Sequence, residues 1–313
     1  MNATNFPYLF LTLLGGLALT GCGKFAPQEA DAGKPRVALV MKSLANEFFG
    51  TMAAGAKKHQ AAHAASYELI SNGIKNETDL AEQVGVVEQM IAMRVSAIVI
   101  APADSKALVP ILKRALGAGI VVVNIDNRLD ASAMQEARIK IPFVGPDNRT
   151  GAAAVGRVVA ARLAKGDDVA IIEGMVTADN GRQRRMGFED AVKEAGLNLV
   201  SVQSGQWEME KANTVANALL TAHPRLKAIF CANDNMALGA IAAIKSAGRE
   251  GRVLVAGFDN IQAARALIQS GQLAATADQH GDKLAVYGIE TALAALQTKR
   301  TDDRATPVDV VTR

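Results

Sequence analysis

The sequence has few of the residue types that carry most enzyme chemistry and metal binding. Its 313 residues include two cysteines, four histidines and one tryptophan, and aromatic residues make up only 4%. The G-x-S-x-G, H-E-x-x-H, G-x-G-x-x-G and phosphate-loop patterns are absent. His59 and His63 could share one helix face, but no third ligand accompanies them, so we expect an exposed helix end and no metal site. We predict that the chain is not an enzyme and needs no cofactor.

Concentrated charge of one sign is missing as well. The 34 basic and 31 acidic residues give a formal net charge of +3 and are scattered along the chain. No Lys/Arg block stands out as a patch for nucleic acid or for an anionic membrane surface. We therefore expect no nucleic-acid partner.

The N-terminal segment has the pattern of an exported lipoprotein. Residues 8–19 are mostly apolar, too few to span a bilayer permanently, and are typical of the apolar region of a signal peptide. They end in LTGC at 19–22, which resembles the bacterial lipobox, in which the cysteine is acylated after cleavage. Residues 23–33 have the composition of a linker. We predict a signal peptide over 1–22, a lipidated Cys22, and a periplasmic protein attached to the membrane through its lipid alone.

From Arg36 onward, short runs rich in Val, Ile and Ala alternate with longer stretches of helical period. This alternation predicts βαβ units and parallel sheets. The predicted strands are VALV (37–40), YELI (67–70), AIVIAP (97–102), IVVVNID (120–126), VAIIEG (169–174), LVSVQ (199–203), AIFCAND (228–234) and VLVAGFD (253–259). Most are continuous apolar runs, which is typical of strands covered by helices on both faces. The clearest predicted helices cover 78–94, 105–116, 150–164, 183–195 and 235–247.

The number of βα units favours two lobes over one. The units are too many for one open sheet of ordinary size. The segment 127–142 interrupts their rhythm with charged residues and no clear strand. We place a lobe boundary just after this segment, near Gly145. Because both halves repeat the same βαβα plan, we expect two similar lobes that face each other.

Polar and aromatic side chains follow the ends of the predicted strands, where open parallel α/β sheets bind ligands. They are Lys42, Asn46, Phe48, Phe49, Asp126, Asn180, Arg184, Trp207, Asn233, Asp259 and Gln279. Asp, Asn, Arg and Gln present donors and acceptors in one plane, which suits neighbouring hydroxyl groups, and aromatic rings suit the C–H face of a sugar. The set predicts a sugar pocket. Taken singly, each Asn or Asp could equally be a cap or turn residue, each Phe a core residue, and the Trp a surface residue.

Six motifs resemble those of periplasmic sugar-binding proteins of the ribose, allose and galactofuranose type. They are KSLANEFF (42–49), NID (124–126), GRQRRMGFEDA (181–191), TAHPRLKAIFCANDNMALGA (221–240), VLVAGFDN (253–260) and GQLAATADQ (271–279). The resemblance extends from about Arg36 to Val311. It implies a type I periplasmic binding protein: two Rossmann-like lobes joined by three hinge crossings, which close around a ligand. The implied lobes comprise 34–145 plus 280–306, and 146–279 plus 307–313.

The resemblance also implies roles for individual residues. The hydrogen-bonding and stacking positions of the family are occupied here by Asn46, Phe48, Phe49, Asp126, Arg184, Trp207, Asn233, Asp259 and Gln279. Lys42 stands at a position that is a small hydroxyl residue in the ribose-type pattern and Lys in the allose-type pattern. Asn127, which we include among the ligand-binding residues, replaces an Arg of ribose binders. We therefore expect a hexose such as allose to be favoured over a pentose such as ribose.

In function, the resemblance implies the substrate-binding component of an ABC-type sugar importer. We expect a monomer whose partners are a small sugar and a transporter permease. A sensor that signals to a chemoreceptor or histidine kinase is the alternative, because it would use the same closed surface. A transcriptional repressor of the same fold is not favoured, since an apolar leader stands where a DNA-binding helix-turn-helix would be needed.

Overall fold

Most of the apolar runs become strands of two parallel sheets in the computed structural model, which describes residues 33–313. Residues 34–313 form one unit. The predicted signal peptide, Cys22 and nearly all of the predicted linker lie outside the described residues.

The first sheet has six strands. They are β1 (Arg36–Ser43), β2 (Glu68–Ile74), β3 (Ala97–Ile100), β4 (Val121–Ile125), β5 (Phe143–Pro146) and β11 (Arg304–Thr306). Their order is β11-β5-β4-β3-β1-β2, and every pairing is parallel. The last strand, β11, comes from near the C-terminus, so the chain returns to this sheet after building the second one.

The second sheet has four strands, β6 (Asp168–Glu173), β7 (Asn198–Ser204), β8 (Ala228–Cys231) and β9 (Leu254–Ala256). They pair in parallel in the order β7-β6-β8-β9. Two short strands, β10 (Thr276–Asp278) and β12 (Asp309–Val311), form a separate antiparallel ribbon. The predicted α/β class with parallel sheets is confirmed.

Helices connect most of the strands. They are α1 (Glu47–Ala62), α2 (Leu80–Ala92), α3 (Val109–Gly117), α4 (Ala131–Ala137), α5 (Asn148–Ala160), α6 (Asp179–Glu194), α7 (Met209–Ala222), α8 (Asp234–Ser246), α9 (Gln262–Ser270) and α10 (Gly281–Thr298). The sequence pattern predicts no clear strand in 127–142, and the structure places helix α4 there. Its N-cap, Asp130, accepts a hydrogen bond from the Ala133 amide at 2.9 Å.

Strand β1 shows how the first sheet is covered on both faces. Val37 and Leu39 belong to one apolar cluster, which includes residues of α1 and α10. Ala38 and Val40 belong to another, which includes residues of α2 and α3. Because successive strand residues point to opposite faces, a strand buried on both faces is apolar throughout, as the sequence predicted.

Helix caps set where several strands end. The predicted strand 228–234 stops at Cys231, because Asn233 already caps α8 by accepting a hydrogen bond from the Met236 amide at 2.9 Å. Cys231 itself is fully buried, and burial raises the pKa of its thiol. It packs as the small apolar residue that the sequence indicated.

Residues 33–313 contain neither a candidate membrane-spanning helix nor a candidate metal-binding cluster. In this range no helix is both long and apolar enough to cross a membrane. Nor does the same range hold a group of three or more His, Cys, Asp or Glu side chains placed to bind a metal ion. His59 and His63 stack on each other with ring centroids 4.2 Å apart, and His59 Nδ1 lies 2.9 Å from the Tyr67 hydroxyl.

Candidate functional site

A cavity lies beyond the carboxyl ends of strands from both parallel sheets. Six lining residues come from the first half of the chain and form what we call the first wall: Lys42, Asn46, Phe48, Phe49, Glu77 and Asp126. Six come from the second half and form the second wall: Asn180, Arg184, Trp207, Asn233, Asp259 and Gln279. All of them are nine-tenths or more buried. Every lining residue except Glu77 was predicted from the sequence, and their role in binding remains a prediction.

Asn127 is the one predicted residue that does not line the cavity. Its side-chain Nδ2 donates to the Pro102 carbonyl at 2.8 Å. Its Oδ1 accepts from the backbone amide of Asn180 at 3.1 Å and from the Ser105 hydroxyl at 3.4 Å. These bonds engage both ends of the side chain behind the first wall. Asn127 therefore supports Asn180, which does line the cavity.

A buried ion pair lies at the centre of the first wall. Lys42 Nζ is 2.9 Å from Asp126 Oδ2, although the angles are not those of a hydrogen bond. The ammonium also lies 5.5 Å from the ring centroids of Phe49 and Trp207, within the range of cation–π attraction. Lys42 thus pairs with a carboxylate inside the cavity. Glu47, its neighbour in the motif, instead accepts from the Gln262 amide of the second half.

Asn46 serves the helix and the cavity at once. Its Oδ1 caps α1 by accepting from the Phe48 amide at 3.1 Å, while its Nδ2 donates to Glu77 Oε1 at 3.3 Å. Phe48 and Phe49 likewise belong to the apolar core and also line the cavity. The capping and core interpretations of these residues are therefore compatible with a place in the site.

Glu77 is the lining residue that the sequence analysis missed. It lies between β2 and α2, and burial raises its pKa to about 7, an effect that the nearby Lys42 ammonium opposes. Its Oε2 has no hydrogen-bond partner among residues 33–313. The rule that found Asn46 also applies here, because Glu77 follows the carboxyl end of a parallel strand.

Arg184 is the most firmly held side chain of the second wall. Its Nε donates to Asn148 Oδ1 at 2.8 Å, and its Nη1 donates to the Ala232 carbonyl at 2.9 Å and to Asp259 Oδ1 at 3.3 Å. The guanidinium carbon lies 3.8 Å from the centroid of the Phe258 ring. These contacts fix the guanidinium plane, whose geometry suits paired acceptors.

Asp259 and Gln279 form the other polar part of the second wall. Burial raises the pKa of Asp259 well above its ordinary value, while Arg184 opposes that rise. Gln279 Nε2 donates to Asp259 Oδ1 at 2.6 Å. The carboxyl group therefore already has two donors within the protein before any other group approaches it.

Backbone strain is concentrated around the cavity. Asp126, Trp207 and Asp259 have φ angles of 62°, 67° and 122°, in the region that residues other than glycine rarely adopt. Each such residue costs on the order of 1–3 kcal/mol and persists only where its surroundings enforce it. Such strain is characteristic of ligand sites.

Several buried polar atoms of the cavity have no hydrogen-bond partner within the described part of the chain. They are Glu77 Oε2, Asp126 Oδ2, Asn180 Oδ1, Arg184 Nη2, Trp207 Nε1 and Gln279 Oε1. The set mixes donors with acceptors, and leaving such groups unpaired costs about 1–3 kcal/mol each. A hydroxyl group can donate and accept at once, so a small polyhydroxylated ligand would match the set.

Comparisons with known proteins agree with this geometry. The periplasmic binding protein domain family matches residues 37–300. A D-ribose/D-allose-binding protein of Pseudomonas aeruginosa is 55% identical over 309 residues, covering 96% of this chain and 97% of that protein.

Two solved structures share the fold. An ABC transporter solute-binding protein from Burkholderia multivorans, with an unknown ligand represented as α-D-erythrofuranose, is 55% identical, has a TM-score of 0.88, and is matched over 90% of this chain and 100% of that chain. One from Actinobacillus succinogenes with bound D-allose is 38% identical, has a TM-score of 0.83, and is matched over 89% and 98%. The polar cavity, the parallel sheets and these matches lead to one conclusion, that the chain belongs to the periplasmic binding protein family.

Proposed function

We propose that this protein is the substrate-binding component of an ABC-type sugar importer and that it binds one monosaccharide between the first and second walls. The observation that carries the proposal is the cavity itself, in which unpaired buried donors and acceptors lie beside three aromatic rings. An importer role is favoured over a sensor role, because the two solved relatives are ABC transporter solute-binding proteins. The permease of that importer is the proposed protein partner.

D-Allose and D-ribose are the first candidate ligands. The Pseudomonas aeruginosa relative is named for both sugars, and the Actinobacillus succinogenes structure contains D-allose. We favour the hexose, because Lys42 is the residue that the allose-type pattern carries at this position.

We also propose the lobe boundaries implied by the resemblance, with 34–145 plus 280–306 as one lobe and 146–279 plus 307–313 as the other. The crossings would then lie near β5, near His280 at the start of α10, and between β11 and β12. His280 has a φ of 53°, and its Nε2 lies 2.7 Å from Asp309 Oδ2. Lobes joined at such points would open and close as rigid bodies, and the protein would act as a monomer.

Calorimetric titration with D-allose, D-ribose and a panel of other hexoses, pentoses and polyols tests the proposal. We expect D-allose to bind most tightly. Intrinsic fluorescence provides a second readout, since Trp207 is the one tryptophan and lines the cavity. Failure of every sugar and polyol to bind, with the fluorescence unchanged at saturating concentrations, would contradict the proposed function.

A lipid anchor at Cys22 completes the proposal, with the protein held at the periplasmic face of a membrane. The support is the apolar stretch 8–19 followed by LTGC and a polar linker. Cys22→Ser should abolish acylation and signal-peptidase processing at that site, because the substitution removes the thiol that would carry the lipid. Labelling with a clickable fatty acid measures this, with Cys231→Ser as the matched control. Equal label in the wild type and the Cys22→Ser variant would exclude Cys22 as the acylation site.

A further inference from the structure

Glu77 stands out among the buried acidic residues because its two oxygens have different surroundings. Glu77 lines the cavity; its Oε1 accepts from Asn46 Nδ2 at 3.3 Å, whereas its Oε2 is buried and has no partner among the residues that the structure describes. The side chain is 2% exposed. A carboxyl oxygen in this position strongly favours any group that can form a hydrogen bond with it.

A hydrogen bond from its backbone amide connects Glu77 to the second half of the chain. Its amide donates to Glu208 Oε1 at 3.2 Å, and Glu208 is the N-cap residue of α7. This bond spans 131 positions of sequence, and Glu77 itself lines the cavity. The Glu77 carboxyl is therefore positioned relative to both walls, which is what a ligand-contacting group requires.

The charges around Glu77 explain why its carboxyl suits a neutral hydroxyl better than a charged group. Lys42, the nearest cation, is engaged with Asp126, and the Glu208 carboxylate contributes repulsion from the second half. Because burial raises the pKa of Glu77 to about 7, its carboxyl is neutral in part of the population near neutral pH. A hydroxyl can serve either form, since it donates to a carboxylate and accepts from a carboxylic acid.

We propose that Glu77 is a further specificity-determining residue of the cavity, and that its Oε2 forms a hydrogen bond with one hydroxyl of the bound sugar. The inference rests on the proposed function and deepens it. It assigns the first wall a second group, besides Lys42, that distinguishes a hydroxylated ligand from its deoxy analogue. A site built to pair with a hydroxyl rejects an analogue that lacks it, because the protein group is then left buried without a partner.

Calorimetry on three proteins tests this inference: the wild type, Glu77→Met and Glu173→Met. Met keeps the length of the side chain and removes both oxygens. Glu173 is the matched control, since it is also a buried carboxyl but lies on β6 outside the cavity. The ligands are D-allose, D-ribose and the monodeoxy analogues of D-allose.

We expect Glu77→Met to weaken D-allose binding at least about tenfold, and Glu173→Met to change it by less than about twofold. One monodeoxy sugar should bind the wild type at least about tenfold more weakly than D-allose does, yet bind Glu77→Met about as well as D-allose does, because the partner of the missing hydroxyl is gone. That coupling separates a ligand contact from a purely structural role.

Two results would overturn the inference while leaving the proposed function intact: unchanged D-allose affinity in Glu77→Met, or equal losses on both proteins for every deoxy sugar. If thermal denaturation shows that Glu77→Met is not folded, Glu77→Asp replaces it. That variant moves the carboxyl back by one methylene, and we expect the same coupling. A wild type that binds neither D-allose nor D-ribose would overturn the choice of ligand and this inference with it.

Discussion

The two walls of the cavity each contain one basic residue in a buried ion pair, but they hold it in different ways. The Lys42 ammonium is 2.9 Å from Asp126 Oδ2, with no hydrogen bond between them. Arg184 is 3.3 Å from Asp259 and has two further hydrogen bonds and a stacking contact with Phe258. Lys42 is held by its ion pair and by cation–π contacts with Phe49 and Trp207, whereas hydrogen bonds fix the orientation of Arg184.

This difference indicates how the site could combine a constant contact with an adjustable one. A guanidinium locked in plane presents the same donors to every ligand. An ammonium on a flexible stem can rotate its three donors toward whichever oxygen is present. The comparison therefore predicts that the second wall sets affinity, while the first wall sets the choice among sugars.

The largest effect should come from Arg184→Met. It removes a charged donor from the cavity and leaves Asp259 without its cation, so D-allose binding should weaken by about 4 kcal/mol, or roughly a thousandfold. Arg185→Met is the matched control, because Arg185 is 37% exposed and pairs with Glu173 outside the cavity. Calorimetry measures both variants, and a comparable loss in the control would remove the distinction between the two arginines.

The second-largest effect is on the pH dependence of the unfolding free energy, and it comes from Glu77 in the first wall. The pKa of Glu77 is raised from 4.5 to about 7, so folding favours its protonated form. That contribution is fully present below pH 4.5 and is lost as the pH rises through about 7, a loss of about 3 kcal/mol. In Glu77→Gln the fall in unfolding free energy between pH 4 and pH 8 should be smaller by this amount. Urea denaturation without ligand measures it, and parallel pH curves for the two proteins would contradict the prediction.

The smallest effect is the selective one, from Lys42→Ser. If the ammonium serves the hydroxyl that a hexose has and a pentose lacks, D-allose binding should weaken about tenfold, or about 1.4 kcal/mol, while D-ribose binding stays nearly unchanged. Calorimetry with both sugars decides this. Equal losses of affinity for the two sugars would mean that Lys42 contributes only general electrostatics. They would contradict the prediction that the first wall sets the choice among sugars.

Much of the fold could be predicted because burial on both faces leaves a simple pattern. Runs such as VALV and AIVIAP are apolar throughout, and both lie within or across observed strands. Strand ends were less predictable, since the predicted strands 228–234 and 253–259 each extend three residues past the observed ends at Cys231 and Ala256. Helix α4 was missed because it has only seven residues and none of them is fully buried; Ala133, Met134 and Ala137 pack against the core only in part.

The cavity could be predicted where a residue type and a strand end coincided, as for Asp126 and Asp259. Asn127 looked equivalent to its neighbour, but its side chain turns to bond with Pro102 and with the Asn180 amide. Which of two adjacent side chains faces a cavity depends on backbone angles, and Asp126 alone of this pair has a positive φ. Glu77 lies in a short polar turn whose residues resemble an ordinary connection.

The strained backbone of the cavity has a consequence for protein engineering. Asp126, Trp207 and Asp259 hold positive φ angles, so a β-branched replacement at any of them would add a backbone penalty to whatever it does to the ligand. Lys42 and Glu77 do not have positive φ angles. Laboratory evolution toward a new sugar should therefore accept changes first at these two positions. The residues of the second wall should stay unchanged while the sugar specificity changes.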